Sequence, residues 1–169
     1  AAVLADLAGD ALELVGLAAA QGVLGLGPGL TPSGDDLLGG LMFSWAMATP
    51  PAWCSPWSDL CDRVNALARA ATNPISAALL DDMTAGRSYR VLHELFDALA
   101  AAGRASASPT RAPMPAPAAL LRAAQALLNL GASSGADMLC GVLLALTGPP
   151  EVPRPAAALP PARPLTVNP

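Results

Sequence analysis

Apolar residues recur at helical intervals along most of this chain. Leu4, Leu7, Leu14 and Leu17 share one face of a helix expected from about Val3 to Gln21. A Gly- and Pro-rich segment, Gly22 to Ser33, interrupts that pattern, and a second helix is expected from Gly34 to Ala48, stopping before Pro50-Pro51. A third should cover Asp59 to Ala71. Asn73 followed by Pro74 reads as an N-cap with proline at the first helical position, opening a fourth helix that ends at Gly86. Ser88 to Ala102 is the fifth. A Pro/Ser/Ala linker from Ser106 to Pro117 separates it from two closing helices, Ala118 to Leu130 and Ser134 to Leu146. The expectation is one compact all-α domain of about seven helices over 1–148. Eight prolines between Pro149 and Pro169 make 149–169 an extended or disordered tail.

Composition strengthens this reading. The apolar fraction, 53% of 169 residues, is mostly Ala and Leu, with a single Ile and 4% aromatics, a balance that favours helix over strand. That fraction is enough to bury a core, and the length suits one domain.

The chain also repeats itself. Leu17-Ala-Ala-Ala-Gln-Gly-Val-Leu-Gly-Leu-Gly27 aligns without gaps to Leu121-Arg-Ala-Ala-Gln-Ala-Leu-Leu-Asn-Leu-Gly131, with seven of eleven positions identical. After three extra residues in the first copy, Ser33-Gly-Asp-Asp-Leu-Leu-Gly-Gly-Leu-Met42 aligns to Ser134-Gly-Ala-Asp-Met-Leu-Cys-Gly-Val-Leu143. Ala/Leu bias inflates such matches but does not place Ser-Gly-x-Asp twice in register. Two helix–loop–helix units are expected, about 11–48 and 118–147, facing each other about a twofold axis. Gly39, Gly40, Ser44 and Ala48 in one unit, and Gly141 and Ala145 in the other, would let their helices cross closely.

Charge narrows the chemistry. Nine basic residues, all Arg, stand against thirteen acidic ones, a net charge of −4. Without Lys the chain has no P-loop lysine and no Schiff base, and one His (His93) excludes a multi-histidine metal site. An acidic chain with 13% charged residues lacks a basic footprint for nucleic acid. The longest strongly apolar stretch, Leu37 to Thr49, is short of the ~20 residues that span a bilayer. No signal peptide is visible. Cys54, Cys61 and Cys140 are odd in number and lack metal-ligand spacing, as for reduced thiols of a cytoplasmic protein. The chain starts with Ala rather than Met, as a fragment of a longer protein would.

Gly25-Leu-Gly-Pro-Gly-Leu-Thr-Pro-Ser-Gly-Asp-Asp36 carries the candidate chemistry. Its glycines permit close backbone approach to a ligand, and Pro28 and Pro32 stiffen the loop. Ser33 stands where an N-cap belongs, so free N–H groups and the positive helix end would point at the loop. Such a terminus receives phosphate or carboxylate. Capping alone also accounts for Ser33-x-x-Asp36 and Ser134-x-x-Asp137, each resembling a capping box. The first copy is richer than capping requires. The candidate catalytic residues are Asp35 and Asp36. The candidate ligand contacts are Gly27, Gly29, Thr31, Ser33, Gly34, Thr72, Ser76, Ser133, Ser134, Gly135 and Asp137. Two carboxylates repel bare phosphate unless a cation bridges them, for which magnesium on Asp35 and Asp36 is the option. Alternatively they accept hydrogen bonds from a carbamoyl NH₂, which only donates. Arg87 and Arg90 could face an anion but read more simply as surface arginines. His93 reads as a packed or surface histidine, and Trp45, Trp53 and Trp57 as packing or a partner surface.

The same motif, continued by Leu37-Leu38-Gly39-Gly40, resembles the hallmark of the bacterial domain-of-unknown-function family 2877, which includes the H subunit of oxamate carbamoyltransferase from anaerobic allantoin breakdown. Thr72-Asn-Pro-Ile-Ser-Ala-Ala-Leu-Leu80 and Leu130-Gly-Ala-Ser-Ser-Gly-Ala-Asp137 are similar to two further family segments. The resemblance runs from about residue 20 to 145. Ala132 stands where the family often has histidine, and family members tend to carry an additional upstream region. The resemblance implies a role in phosphorolysis of oxalurate to oxamate and carbamoyl phosphate, with two partner subunits that would supply the phosphate-clamping arginines this chain lacks. Thr31 to Gly34 would donate to the reacting group, and Asp35 or Asp36 would accept from the carbamoyl NH₂. A non-catalytic assembly or ligand-binding subunit, and a magnesium-dependent enzyme acting on a phosphate ligand, are the alternatives.

Overall fold

The structure, a computed structural model, describes residues 17–18, 20–48, 54–106 and 116–147, with backbone alone at 54–56, 105–106 and 116–117. Among them are helices and no strands: the helical residues 20–23, then α1 (Ser33–Ala48), α2 (Cys54–Ala71), α3 (Pro74–Thr84), α4 (Arg90–Ser106), α5 (Ala116–Leu128) and α6 (Ser134–Thr147). The fold class is all-α, as expected. Most of the first expected helix, most of the 106–117 linker, the Pro50-Pro51 turn, Trp53 and the tail lie outside the described residues.

Local chemistry explains most boundaries. The Asn73 side chain accepts from the N–H groups of Ile75 and Ser76 and caps α3, with Pro74 at the first position. That helix stops two residues before the expected Gly86. The N–H of Gly86 bonds the Met83 carbonyl and that of Arg87 the Asp82 carbonyl, a Schellman closure with glycine at φ +73°. Helix α2 starts five residues earlier than expected, because Pro56 falls in its first turn, where a missing N–H costs nothing.

Helix α1 is the axis of the domain. Leu38, Leu41, Met42 and Trp45 enter a core shared with Leu60, Val64 and Ala68 of α2 and Ala77 and Leu80 of α3. Phe43, on the other side, packs with Met83, Leu92, Leu95, Leu127, Met138 and Val142. A helix apolar on every face must be covered on every face. Leu38, Met42 and Phe43 are fully buried, each stabilising the fold by roughly 1.5–3 kcal/mol. His93 meets Phe43 edge-on at 5.0 Å, and Trp45 is a core residue. Asn65 ties α2 to α3 by donating to Asp81 and Thr84 at 2.9 and 3.0 Å.

The most extensive helix pairing is α1 on α6. Its crossing point is glycine on both sides. A Cβ on Gly40 would strike the carbonyl oxygen of Met138, and one on Gly141 would strike that of Leu37. In the repeat alignment Gly40 corresponds to Gly141 and Leu37 to Met138. The two close approaches are therefore reciprocal between aligned positions. No helix of the described residues is long and apolar enough to cross a membrane.

Candidate functional site

The N-terminal ends of α1 and α6 each receive a loop from the preceding helix, and the two junctions share one backbone plan. Leu26 N–H bonds the Val23 carbonyl and Leu130 N–H the Leu127 carbonyl. Gly34 N–H bonds Leu26 and Gly135 N–H bonds Leu130, at 2.8 and 2.9 Å. Neither glycine has room for a Cβ, which would collide with the carbonyl of Val23 or Leu127.

This plan corrects the capping assignment. Ser33 and Ser134 are first helical residues rather than caps. The Pro32 carbonyl accepts from Asp36 N–H at 3.1 Å and the Ser133 carbonyl from Asp137 N–H at 3.0 Å. Neither Ser-x-x-Asp is a capping box, since each Asp lies one position too far along. The expectation of free N–H donors is corrected too. Gly34, Asp35 and Asp36 donate to Leu26 and Pro32, and Gly135, Ala136 and Asp137 to Leu130 and Ser133. With these donors engaged, the helix ends keep their dipole but present little of a phosphate cradle.

The carboxylates divide the work. Asp35, 4% exposed, accepts the Gly25 N–H at 2.7 Å on one oxygen and the hydroxyls of Thr72 and Ser76 on the other, the latter at 2.6 Å. Thr72 and Ser76 therefore face Asp35, and the three together fasten the loop to the start of α3. Asn73 does more than cap, because its Nδ2 donates to the Leu30 carbonyl at 2.8 Å and pins the loop apex. Leu26 and Leu30 are held exposed on that apex, at 59% and 67%.

Asp36 is equally buried at 4% exposure, yet its Oδ2 has no hydrogen-bond partner. Burial raises its pKa above the ordinary carboxylate value. The hydroxyls of Ser134 and Thr31 oppose that shift, and the charges of Asp137 and Asp35 add to it. Thr31 and Ser134 hydroxyls meet at 3.1 Å, joining the two loops. Asp137, half-buried on α6, likewise has a buried Oδ2 without a partner. Gly27, Gly29 and Ser133 are exposed on the loops, and Ser33 is half-buried beside Gly27.

Tyr89 was missed by the sequence reasoning. Its phenol pKa is raised by burial and then by the Asp36 charge, which places the ring near this carboxylate. The chain's one tyrosine, directly after the Gly86–Ser88 turn, was the available signal. Arg87 and Arg90 do not join the site: they pair with Asp82 and Glu94 at the surface. No group of three or more His, Cys, Asp or Glu among the described residues could hold a metal ion.

The fold and this double loop define an all-helical protein whose Gly- and Pro-rich loop, exposed at 26–30, closes over buried acidic residues at a helix start. Residues 23–146 match the family model described as oxamate carbamoyltransferase subunit AllH, and the chain belongs to that family. No curated protein and no solved structure matches the chain.

Proposed function

We propose that this chain serves in a multi-subunit oxamate carbamoyltransferase and that its 25–36 loop binds the carbamoyl group of the substrate. In the reaction, phosphate oxygen attacks the ureido carbonyl carbon of oxalurate. The bond from that carbon to the oxamate nitrogen breaks, and the nitrogen takes a proton, giving oxamate and carbamoyl phosphate. The carbamoyl NH₂ offers donors only, so a carboxylate oxygen without a partner is the complementary group. The observation that carries this reading is the buried, unpartnered Oδ2 of Asp36, inside the 23–146 stretch that matches the family. Asp35, with three donors already bound, positions the loop. The phosphate would be held by partner subunits, because Arg87 and Arg90 are engaged at the surface.

The pinned, exposed leucines at 26 and 30 favour a second reading, in which the loop apex docks a partner and shapes that partner's active site. Carbamoyl phosphate formation by the complex purified with wild-type or Asp36→Asn chain separates the two. A fall in turnover of a hundredfold or more, with the complex intact, supports carbamoyl binding at Asp36. Unchanged turnover supports the docking role.

A further inference from the structure

We propose that the two loop–helix units build one site rather than two, in which Asp36 and Asp137 together accept the N–H donors of a single primary amide or carbamoyl group, with Thr31 and Ser134 at its rim. The choice of a carbamoyl or amide among donor groups rests on the function proposed above; the convergence of the two units does not. Three observations carry the convergence. The glycine crossing of α1 and α6 brings equivalent helix starts together. The Thr31 and Ser134 hydroxyls bond across the gap between the loops. Asp36 and Asp137, aligned in the sequence repeat, each end in a buried oxygen that no described residue satisfies.

A buried carboxylate oxygen left unpaired destabilises the fold unless a donor reaches it. Asp137 lies close enough for its charge to act on Asp36, and two unpaired carboxylate oxygens brought together call for a group with two N–H bonds and no acceptor beside them, which describes an NH₂. A divalent cation fits less well. Asp35 already accepts from Gly25, Thr72 and Ser76, and the described residues hold no group of three or more His, Cys, Asp or Glu that could bind a metal ion. Thr31 and Ser134 are half-exposed, so a small ligand enters by parting their bond.

The test uses thermal-shift titration of the full chain with oxamate, carbamoyl phosphate, acetamide, inorganic phosphate and magnesium. Oxamate, carbamoyl phosphate and acetamide all carry an NH₂ and should raise the melting temperature; phosphate and magnesium alone should not. Asp36→Asn and Asp137→Asn should each weaken NH₂-ligand binding at least tenfold. If Asp36→Asn does not fold, Asp137→Asn, half-buried on α6, decides alone. Wild-type affinity in Asp137→Asn overturns the single site, as does the absence of any NH₂-dependent shift in wild type, or a magnesium shift lost in the same variants. Failure of the functional reading looks different. Amide binding that needs both aspartates, without carbamoyl transfer by the complex, leaves the site standing and removes the reaction. Transfer that needs Asp36 but not Asp137 does the reverse.

Discussion

The loop before α1 and the loop before α6 share a backbone and differ in what has been built on it. Both send a glycine N–H back to a leucine carbonyl, and both end in an aspartate with an unpaired oxygen. The first adds three residues, and it has Asp35 where the second has Ala136. Through Asp35 and Asn73 it is fastened to α3, with Asp35 and Asp36 buried beneath an exposed 26–30 apex; in the second, exposed Ala136 offers no such carboxylate anchor. One frame thus serves as a plain helix entry and, once anchored, as a buried polar site.

Four tests bear on that contrast. Gly40→Ala should destabilise by about 3 kcal/mol or more, since its Cβ meets backbone that cannot turn aside, and Gly141→Ala should cost a similar amount. Chemical denaturation measures both, and a large inequality would break the reciprocity. Asp35→Ala leaves two hydroxyls and an N–H without their acceptor and should cost about 3 kcal/mol, whereas Ala136→Asp, at an exposed position, should stay within about 0.5 kcal/mol. Asn73→Ala should cost about 1 kcal/mol for the cap and speed amide hydrogen exchange in the 25–31 loop.

The fourth is a pH dependence. Burial raises the folded-state pKa of Asp36 above the ordinary 3.8, so the fold holds this proton more tightly than the unfolded chain does. The resulting stability is full below 3.8 and is lost as pH rises through the raised value. Asp36→Asn removes that loss, so its melting temperature should gain on wild type between pH 3.5 and 7. Asp137→Asn removes a like charge beside Asp36, and should shift the wild-type loss to lower pH.

Helix order and the two matched motifs were legible in the sequence because proline, glycine and heptad-like spacing are local signals. The Asn73 cap was readable for the same reason. The caps of α1 and α6 were misplaced by one residue, since the pattern points to serine while the acceptor at α1 is the carbonyl of Pro32, which no side chain advertises. Asp35 and its partners Thr72 and Ser76 are separated by 37 and 41 positions, and only tertiary folding pairs them. Asp35 and Asp36 therefore looked alike in the sequence, whereas the fold makes one an anchor and leaves the other unpaired.

The glycine crossing of α1 and α6 also acts as a spacer of fixed length. Most helix pairs are separated by a layer of side chains, and substitution in that layer moves the axes. Here carbonyl oxygens sit where side chains would be, so the distance between the helices is set by main-chain atoms that mutation elsewhere cannot resize. A change among the surrounding leucines and methionines would alter the packing around the crossing while the separation of the two loop mouths stayed set by main-chain contact.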